Sequence, residues 1–221
     1  MREVHILIVD DHPAILSGYD AILKMNTLNV QVHTTLCYSI ADAFNHIGSD
    51  NLDSFDFIFL DKSMPPCEAK EVYSGLDLAK RILSRKKNAK IAMLTSHAEP
   101  LVLSQLKTEI NPIAILTKSD IDYYELQNAF AAILLGKKYY SPTVIKALNV
   151  VNQFRDDLDA IDKLILLHLS EGVMTKNLPN YIDLSLDMIN KRKARIKVVF
   201  KLENGKDEDL IKMARNFGII K

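Results

Sequence analysis

The amino-acid sequence predicts an α/β domain, in which helices cover both faces of a parallel sheet, followed by a smaller domain built only from helices. Short apolar runs alternate with segments of helical periodicity through residues 1–135, and short connections between such segments are typical of βα units. From Leu158 onward the periodicity is wholly helical. A chain of 221 residues is long enough to bury a core in two such domains.

Five apolar runs are the predicted strands of the sheet. Each run is continuous rather than alternating, as expected for strands that are buried on both faces. The runs cover residues 4–9, 30–36, 55–60, 91–94 and 113–116.

A helical segment follows each strand, which predicts a doubly wound (βα)5 sheet. Pro13 suits the first turn of the first helix, where its missing N–H has no consequence. Ser74 is a suitable N-cap for the third helix. The predicted helices cover residues 13–23, 40–47, 74–83, 100–107 and 120–134.

Polar side chains stand where four of the predicted strands end. Asp10 and Asp11 follow the first strand, Asp61 follows the third, Thr95 follows the fourth, and Lys118 lies just beyond the fifth. The carboxyl ends of parallel strands share one edge of an open α/β sheet, and ligands bind at that edge. We therefore expect three carboxylates, a hydroxyl and an amine to converge there.

The expected cluster has the chemistry of phosphoryl transfer. Neighbouring carboxylates repel one another unless a cation neutralises them, and Mg²⁺ suits this role because it prefers oxygen ligands. Asp61 could then attack a phosphoryl donor and form an aspartyl phosphate, while Lys118 and Thr95 contact the phosphoryl oxygens. Singly, Asp11 could be a helix cap, Asp61 a turn residue and Lys118 a solvated lysine. Their coincidence at one sheet edge favours the joint role.

These residues resemble a known family. Residues 6–13 (ILIVDDHP), 61–65 (DKSMP), 95–96 (TS) and 116–118 (LTK) resemble the receiver domain of bacterial two-component response regulators. The resemblance covers about the first 130 residues and implies a flavodoxin-like fold. It also implies that Asp61 accepts a phosphoryl group from a sensor histidine kinase.

The same resemblance implies a ligand set. Asp11 would bind Mg²⁺ directly and Asp10 largely through water, with Asp61 and the backbone carbonyl of Ser63 completing the protein ligands. Thr95 and Lys118 would contact the phosphoryl group.

Three features depart from the family pattern. The position three residues before the lysine is usually aromatic and takes part in switching, but here it is Ile115. Proline commonly follows the lysine, whereas this chain has Ser119. The segment 65–73 is longer than the usual connection, and a long loop beside a site either serves a partner or is solvated slack.

Residues 135–157 are predicted to connect the two domains, so that the first domain spans 1–134 and the second 158–221. The connector contains turn residues, then Tyr139 and Tyr140, which we expect to pack against the first domain, and a helical pattern over 144–154.

The second domain has the pattern of a helix-turn-helix. An amphipathic helix over 161–169 ends at Glu171 and Gly172. Pro179 fits the first turn of a short helix that continues through Ile182. Ser185 is suited to cap a long helix whose apolar residues recur at helical spacing. Two helices joined by a short turn are typical of a DNA-binding motif.

Charge supports a nucleic-acid partner. The whole chain is neutral, with 28 Lys+Arg and 28 Asp+Glu, but from Val150 to Lys221 we count 13 basic and 11 acidic residues. The long helix carries a basic stripe with no acid among its members: Lys191, Arg192, Lys193, Arg195, Lys197 and Lys201. A solvated helix face usually mixes the two signs, so the stripe favours contact with DNA phosphates. The predicted DNA contacts are Asn190, Lys191, Arg192, Arg195 and Lys197, of which Asn190, Lys191 and Arg195 could reach base edges.

Residues 158–220 resemble the LuxR/NarL-type helix-turn-helix, most clearly at 170–173 (SEGV), at Ser185 with Ile189 and Ile196, and at 214–220 (ARNFGII). Lys193 replaces a usual valine and Pro179 a usual alanine. The family implies that the last helix, about 208–217, pairs two subunits. Candidate pairing residues are Leu210, Met213 and Phe217, which could equally belong to the domain core.

The sequence therefore predicts a response regulator that is not an enzyme. Its expected partners are a sensor histidine kinase, double-stranded DNA and, when phosphorylated, a second copy of itself. Phosphorylation would bias a surface formed by helix four, strand five and helix five.

Composition limits where the protein acts. No run of about 18 uninterrupted apolar residues predicts a spanning helix, and the N-terminus lacks the pattern of a signal peptide. Cys37 and Cys67 are too few and too far apart for a disulfide framework. We expect a cytoplasmic protein with no membrane partner.

Two alternatives remain open. An aspartate phosphatase of the haloacid dehalogenase kind uses similar residues, but that family requires a second acid two positions after the nucleophile, where this chain has Ser63. In the other alternative, the receiver controls a C-terminal domain that binds protein instead of DNA.

Overall fold

The computed structural model describes residues 2–47, 50–202 and 204–220. The chain divides into two compact units. The first unit comprises the residues up to 98 together with 109–145, and the second comprises 99–108 together with the residues from 146 onward. The predicted domain limits stay predictions.

The first unit contains a sheet of six parallel strands in the order β2-β1-β3-β4-β5-β6. The five predicted strands are confirmed, with ends shifted by one or two residues. The sixth is a two-residue strand that extends the sheet beyond β5, in a segment predicted as connector. The strands are β1 Arg2–Val9, β2 Val30–Cys37, β3 Phe57–Asp61, β4 Ile91–Thr95, β5 Ala114–Thr117 and β6 Tyr139–Tyr140.

The five predicted helices of the α/β pattern are also confirmed. Ser74 caps the third by accepting a hydrogen bond from the Asp77 N–H. The fifth begins later than predicted, because the Asp122 side chain caps it by accepting from the Glu125 N–H. The helices are α1 Pro13–Lys24, α2 Ile40–Ile47, α3 Gly75–Arg85, α4 Pro100–Ile110 and α5 Tyr123–Leu134.

The strand order places the ends of β1 and β3 side by side. Val9 and Leu60 are register partners, so the residues that follow them, Asp10 and Asp61, are neighbours. The order reverses between these two strands, since β2 lies on one side of β1 and β3 on the other. Ligands of doubly wound sheets bind at such a switch point.

A close backbone contact holds the end of β3 against α3. The Gly75 N–H donates to the carbonyl of Lys62 at 3.1 Å. A Cβ atom at Gly75 would lie 1.7 Å from the carbonyl oxygen of Asp61, which no side chain can tolerate. Only glycine fits this position.

The long connection 65–73 is an ordered hairpin rather than slack. The Cys67 N–H donates to the Val72 carbonyl at 2.8 Å, and the Val72 N–H donates back at 3.3 Å. A 3-10 turn over Glu68–Lys70 and Glu71 in the left-handed region, with φ 53°, close the tip. The Val72 side chain is buried, which anchors the hairpin to the unit.

The second unit is helical apart from its connections. The last helix lies within a residue of its predicted limits, and Ser185 caps the long helix by accepting from the Met188 N–H, as predicted. One apolar core joins these helices. They are α6 Pro142–Asp156, which begins in the first unit, α7 Ala160–Ser170, α8 Leu186–Val199 and α9 Asp207–Asn216.

The prediction for Pro179 was wrong in its geometry. The segment Thr175–Asn180 is a 3-10 helix with Pro179 near its end, and Tyr181 and Ile182 follow it. Proline inside an α-helix removes a hydrogen bond and clashes with the carbonyl four residues earlier. A short 3-10 turn avoids that clash.

Among the described residues, the helices are all too short or too polar to cross a lipid bilayer.

Candidate functional site

Three carboxylates meet at the predicted edge of the sheet. We call Asp10, Asp11 and Asp61 the acidic edge. One ligand atom from each, together with one from His12, lie within 4.8 Å of one another. Asp10 and Asp61 are buried, whereas Asp11 is half-buried and His12 exposed. The acidic edge therefore opens to solvent on the side of Asp11 and His12.

Lys118 joins two of these acids. Its Nζ lies 2.7 Å from Asp10 Oδ2 and 3.0 Å from Asp61 Oδ2. Burial acts to lower the pKa of Lys118, but hydrogen bonds and charge attraction from Asp10 and Asp61 outweigh it, so that the pKa is raised. The lysine is therefore a fixed cation beside the acid that would carry the phosphoryl group.

The acidic edge fits a magnesium ion by its donor chemistry. Three carboxylates face one ammonium group, which leaves negative charge uncompensated. Asp11 Oδ1 is a buried oxygen that accepts no hydrogen bond; His12 Nδ1 lies 3.0 Å away and is a charge partner only when protonated. Mg²⁺ prefers this kind of oxygen set and retains several waters.

Ser63 and Thr95 lie beside the acidic edge. The Ser63 N–H donates to Asp61 Oδ1 at 3.4 Å, which places its backbone next to the acceptor. Thr95 ends β4 and is fully buried, and its Oγ1 accepts a hydrogen bond from the His97 N–H at 3.0 Å. The Lys118 N–H donates to the Thr95 carbonyl at 2.7 Å, so the hydroxyl and the lysine come from directly adjacent backbone.

Ile115 lies within β5, where its side chain is completely buried. Its register partners are Met93 on β4 and Tyr140 on β6. The structure therefore has an aliphatic core residue where the family pattern has an aromatic switch.

His12 was missed from the sequence as a residue of the site. His12 contacts Asp10 and Asp11 through Nδ1, at 3.1 and 3.0 Å; its position directly after the acid pair was the available signal. Tyr19 lies on α1, and burial together with the charges of Asp10 and Asp61 raises its pKa. No sequence signal separates Tyr19 from an ordinary core residue.

The loop after Lys118 is hydrogen-bonded to the start of α6. Asp120 accepts from the N–H of Thr143 at 2.9 Å and from its hydroxyl at 2.7 Å. The Thr117 N–H donates to Oγ of the buried Ser141 at 3.1 Å. Burial alone would raise the pKa of Asp120, but the hydrogen bonds from Ser141 and Thr143 lower it to about 2.

The basic stripe of α8 is largely paired within its own unit. Arg192 Nη1 lies 2.7 Å from Asp159 and 2.9 Å from Asp162. Arg195 Nη1 lies 3.4 and 3.0 Å from the same two acids. Asp162 is fully buried, and it also closes a capping box with Asp159 at the start of α7. These four residues form the α7–α8 ion-pair cluster.

Lys193 also makes polar contacts within the second unit. Its Nζ donates to Thr175 Oγ1 at 2.6 Å and contacts Asp207 Oδ1 at 2.6 Å, and only 12 % of its side chain is exposed. It therefore connects the 3-10 helix, α8 and α9. The residue that departs from the family pattern is structural here.

Outside these two sets of contacts lie Asn190, Lys191 and Lys197 of α8 and Lys201, which follows the end of the helix. Asn190 and Lys191 are exposed, and Lys191 pairs with Asp187 at 2.8 Å. Lys197 is half-buried and Lys201 exposed, and neither is in an ion pair with another described residue. Of the predicted DNA contacts, these geometries leave Asn190, Lys191 and Lys197 available, while Arg192 and Arg195 are engaged.

The candidate pairing residues on α9 lie mostly inside the unit. Leu210 is completely buried and Phe217 is nearly so, and both belong to the core of the second unit. Met213 is half-buried and packs on the same core. Leu210 and Phe217 therefore do not present a surface to a second subunit in this conformation.

Comparison with known proteins agrees with the geometry of the acidic edge. The family model for the response regulator receiver domain matches residues 6–130, which include the acidic edge, Thr95 and Lys118. The chain belongs to the response regulator receiver family. The predicted receiver fold and the resemblance of the first 130 residues to receiver domains are thereby confirmed.

The similarity to known proteins extends over nearly the whole of this response regulator. The transcriptional regulatory protein ComA of Bacillus subtilis (strain 168) is 24 % identical over 224 residues, covering 97 % of this chain and 99 % of ComA. A solved structure of the RcsB response regulator of Salmonella typhimurium matches with a TM-score of 0.68 at 22 % identity, over 97 % of this chain and 99 % of RcsB. An RcsB–DNA complex matches with a TM-score of 0.58 at 23 % identity, over 97 % of this chain and 99 % of that chain. These structural likenesses extend the fold assignment to the helical unit.

Proposed function

We propose that this response regulator accepts a phosphoryl group on Asp61 from a sensor histidine kinase and controls transcription through α8. The observation that carries the proposal is the convergence of Asp10, Asp11 and Asp61 with Lys118 at one sheet edge. The family match supports it. The relatives' names, a transcriptional regulatory protein and a DNA complex, support the DNA-binding part.

The chemical step needs little more than positioning and charge. An Asp61 oxygen attacks the phosphorus, the P–O bond forms as the P–N bond to the kinase histidine breaks, and the leaving imidazole takes a proton. Asp10, Asp11, Asp61 and the Ser63 carbonyl would hold Mg²⁺, which supplies charge neutralisation on the phosphoryl oxygens. Lys118 provides a second positive charge, and the Thr95 hydroxyl can donate to a phosphoryl oxygen.

Labelling by a small phosphodonor tests the acceptor. With acetyl phosphate and Mg²⁺, the wild-type chain should gain one phosphoryl group by intact mass, and Asp61→Asn should gain none. Asp53→Asn is the matched control, because 84 % of its side chain is exposed on the surface of the first unit. Equal labelling of wild type and Asp61→Asn would exclude Asp61 as the acceptor.

For DNA we propose phosphate contacts from Lys191, Lys197 and Lys201, with Asn190 at base edges. Arg192 and Arg195 hold α7 and α8 together through Asp159 and Asp162, so we assign them a structural role in place of the predicted contact.

Salt titration of DNA binding tests these assignments. Replacing Lys197 or Lys191 with alanine should weaken binding to all sequences and lower the slope of log K against log salt by about 1 for each lysine replaced. Lys163→Ala is the control, an exposed lysine on α7. An unchanged slope for Lys197→Ala would remove that residue from the interface.

A second candidate function is an output domain that binds protein. The internal pairing of Arg192, Lys193 and Arg195 favours it, because half of the basic stripe is neutralised. A gel shift against genomic fragments, with and without phosphorylation, separates the two: a shifted fragment supports DNA, and no shift under either condition supports protein. The family match does not support the phosphatase alternative.

We also propose that phosphorylation promotes pairing of two chains and that the protein works in the cytoplasm, where DNA and a kinase domain are accessible. Sedimentation with and without acetyl phosphate tests the pairing. A monomer under both conditions would contradict it.

A further inference from the structure

An apolar strip runs along the solvent side of α8. Ala194 and Val198 are both exposed, and they follow Asp187 and Lys191 at helical spacing, so that the four lie along one face. Val198 is 78 % exposed, the highest value among the large hydrophobic side chains of the described residues. Contact with water is unfavourable for such a side chain relative to burial. The strip is therefore a candidate contact surface.

The strip borders a hollow whose lining includes two lysines. The hollow has a volume of about 610 Å³ and is lined by Ala194, Lys197, Val198, Lys201 and Leu202. Two lysines and three apolar residues therefore line it, and neither lysine is in an ion pair with a described residue. A lining that combines apolar side chains with cations suits a ligand that has both an apolar group and anionic groups.

The backbone at Lys201 is a second, independent sign of function. The Lys201 N–H donates to the Val198 carbonyl and the Leu202 N–H to that of Lys197, which is a Schellman end with Lys201 at φ 55°. The same hydrogen-bond pattern ends α5, α7 and α9, and there the left-handed residue is Gly136, Gly172 or Gly218. A lysine in this conformation lowers stability relative to glycine. The positive charge is therefore present in spite of a conformational cost.

We propose that Ala194 and Val198 contact the 5-methyl groups of thymine in the major groove, while Lys197 and Lys201 hold the phosphates on either side. This inference rests on the proposed DNA-binding function and names the bases that it reads. The thymine methyl is the apolar group that base pairs display in the major groove, and short apolar side chains recognise it. Lys201 Nζ lies 6.0 Å from the Phe154 ring, a weak cation–π contact that a phosphate replaces.

Uracil substitution tests the methyl contact without altering any hydrogen bond of the base. Duplexes that bind the phosphorylated full-length chain are first selected from a random pool, and each thymine is then replaced singly by uracil. Loss of a buried methyl should weaken binding about fourfold, equivalent to about 0.8 kcal/mol. At one or two positions we expect this loss for the wild-type chain.

The variant Val198→Ala tests which side chain contacts the thymine methyl group. Val198→Ala should bind the thymine duplex more weakly than wild type and should lose the uracil effect at one position, because the contacting methyl groups are gone. Alanine has a higher helix propensity than valine, so we expect the variant to keep the fold. Val150→Ala, at a 41 % exposed valine of α6, is the matched control and should retain the full uracil effect.

The outcomes separate this inference from the function on which it rests. If no duplex is selected, the DNA-binding function itself fails. If duplexes are selected but uracil changes binding at no position, or changes it equally for wild type and Val198→Ala, the thymine contact is wrong while DNA binding stands.

Discussion

Carboxylates outnumber cations at the acidic edge of the first unit, whereas the cations of α8 in the second unit are mostly matched by nearby acids. At the acidic edge, Asp10, Asp11 and Asp61 face Lys118. On α8, Arg192 and Arg195 face two acids of α7, and Lys193 faces Asp207. The first arrangement requires a bound cation to be neutral, while the second is nearly neutral by itself. Charged residues of one sign that lie close in the sequence therefore indicate a ligand site in the first unit, whereas on α8 most of them are neutralised by acids from other segments.

The two units differ because different parts of the fold supply the charges next to each site. Strand topology brings like charges together at the acidic edge, because parallel strands end at the same side of the sheet. Helix packing brings opposite charges together at α8, because α7 and α9 supply acids that are distant in sequence. Four predictions test this contrast, beginning with the largest effect.

Gly75→Ala should have the largest effect of the four predictions, because it disrupts the acidic edge. Its Cβ would overlap the Asp61 carbonyl oxygen, so we expect a loss of about 3 kcal/mol or more in the free energy of unfolding. Urea unfolding and acetyl phosphate labelling measure the two consequences. The matched control is Gly18→Ala on α1, where a Cβ meets nothing within 4 Å. Equal stability of the two variants would show that Gly75 does not fix the position of Asp61.

Asp162→Ala should destabilise the second unit strongly. It removes a fully buried acid and leaves Arg192 and Arg195 with one acid in place of two. Breaking a buried pair from one side costs about 3 kcal/mol, less here because both arginines are partly exposed. Chemical denaturation measures the loss, and Asp183→Ala, at an exposed acid, should change little. A stable Asp162→Ala would mean that the arginines are free for DNA after all.

Lys201→Gly should separate stability from binding. Relief of the left-handed backbone should stabilise the fold by about 0.5 to 1 kcal/mol, and loss of the charge should lower the salt slope of DNA binding by about 1. Glu71→Gly is the control, since Glu71 has a similar φ of 53° in the first unit. It should stabilise without changing DNA binding. Retained DNA affinity in Lys201→Gly would contradict the phosphate contact.

Acid should weaken both units by a smaller amount. Hydrogen bonds from Arg192 lower the pKa of Asp159 to about 2, and those from Ser141 and Thr143 lower that of Asp120 to about 2 despite its burial. A lowered pKa stabilises the folded state above pH 3.8, the ordinary value, and this contribution disappears as the pH falls through the folded pKa near 2. Stability measured between pH 5 and about 2 should decline less steeply in Asp120→Asn and Asp159→Asn. Unchanged slopes would contradict these assignments.

The sequence was sufficient to predict the positions of those residues that depend only on the order and ends of the strands. The apolar runs indicated which strands are buried, and the end of each run then determined that Asp10, Asp61 and Lys118 would meet. The same reasoning missed β6, because two tyrosines after a turn are too short a run to be distinguished from a connector. It also missed the Cys67–Val72 hairpin, which depends on a left-handed Glu71 that no sequence rule favours.

The start of α8 was predicted from Ser185, but the contacts of its side chains were not. Helical spacing predicts which residues share a face, yet the face does not say whether Asp159, Asp162 or Asp207 lies opposite. Such partners come from other helices, and their approach depends on packing. Lys193 shows the same limit: it looked like an unusual recognition residue and is a tie between three segments.

The hydrogen bonds of Asp120 link the loop after Lys118 to α6. Its carboxylate receives two hydrogen bonds from Thr143, in the first turn of α6, and it stands two residues beyond Lys118. Hydrogen bonds to a charged group contribute about 1.5 to 3 kcal/mol each, so these two couple the loop to the first turn of α6. A displacement of the loop that follows Lys118 would therefore either break these hydrogen bonds or shift the first turn of α6 with it.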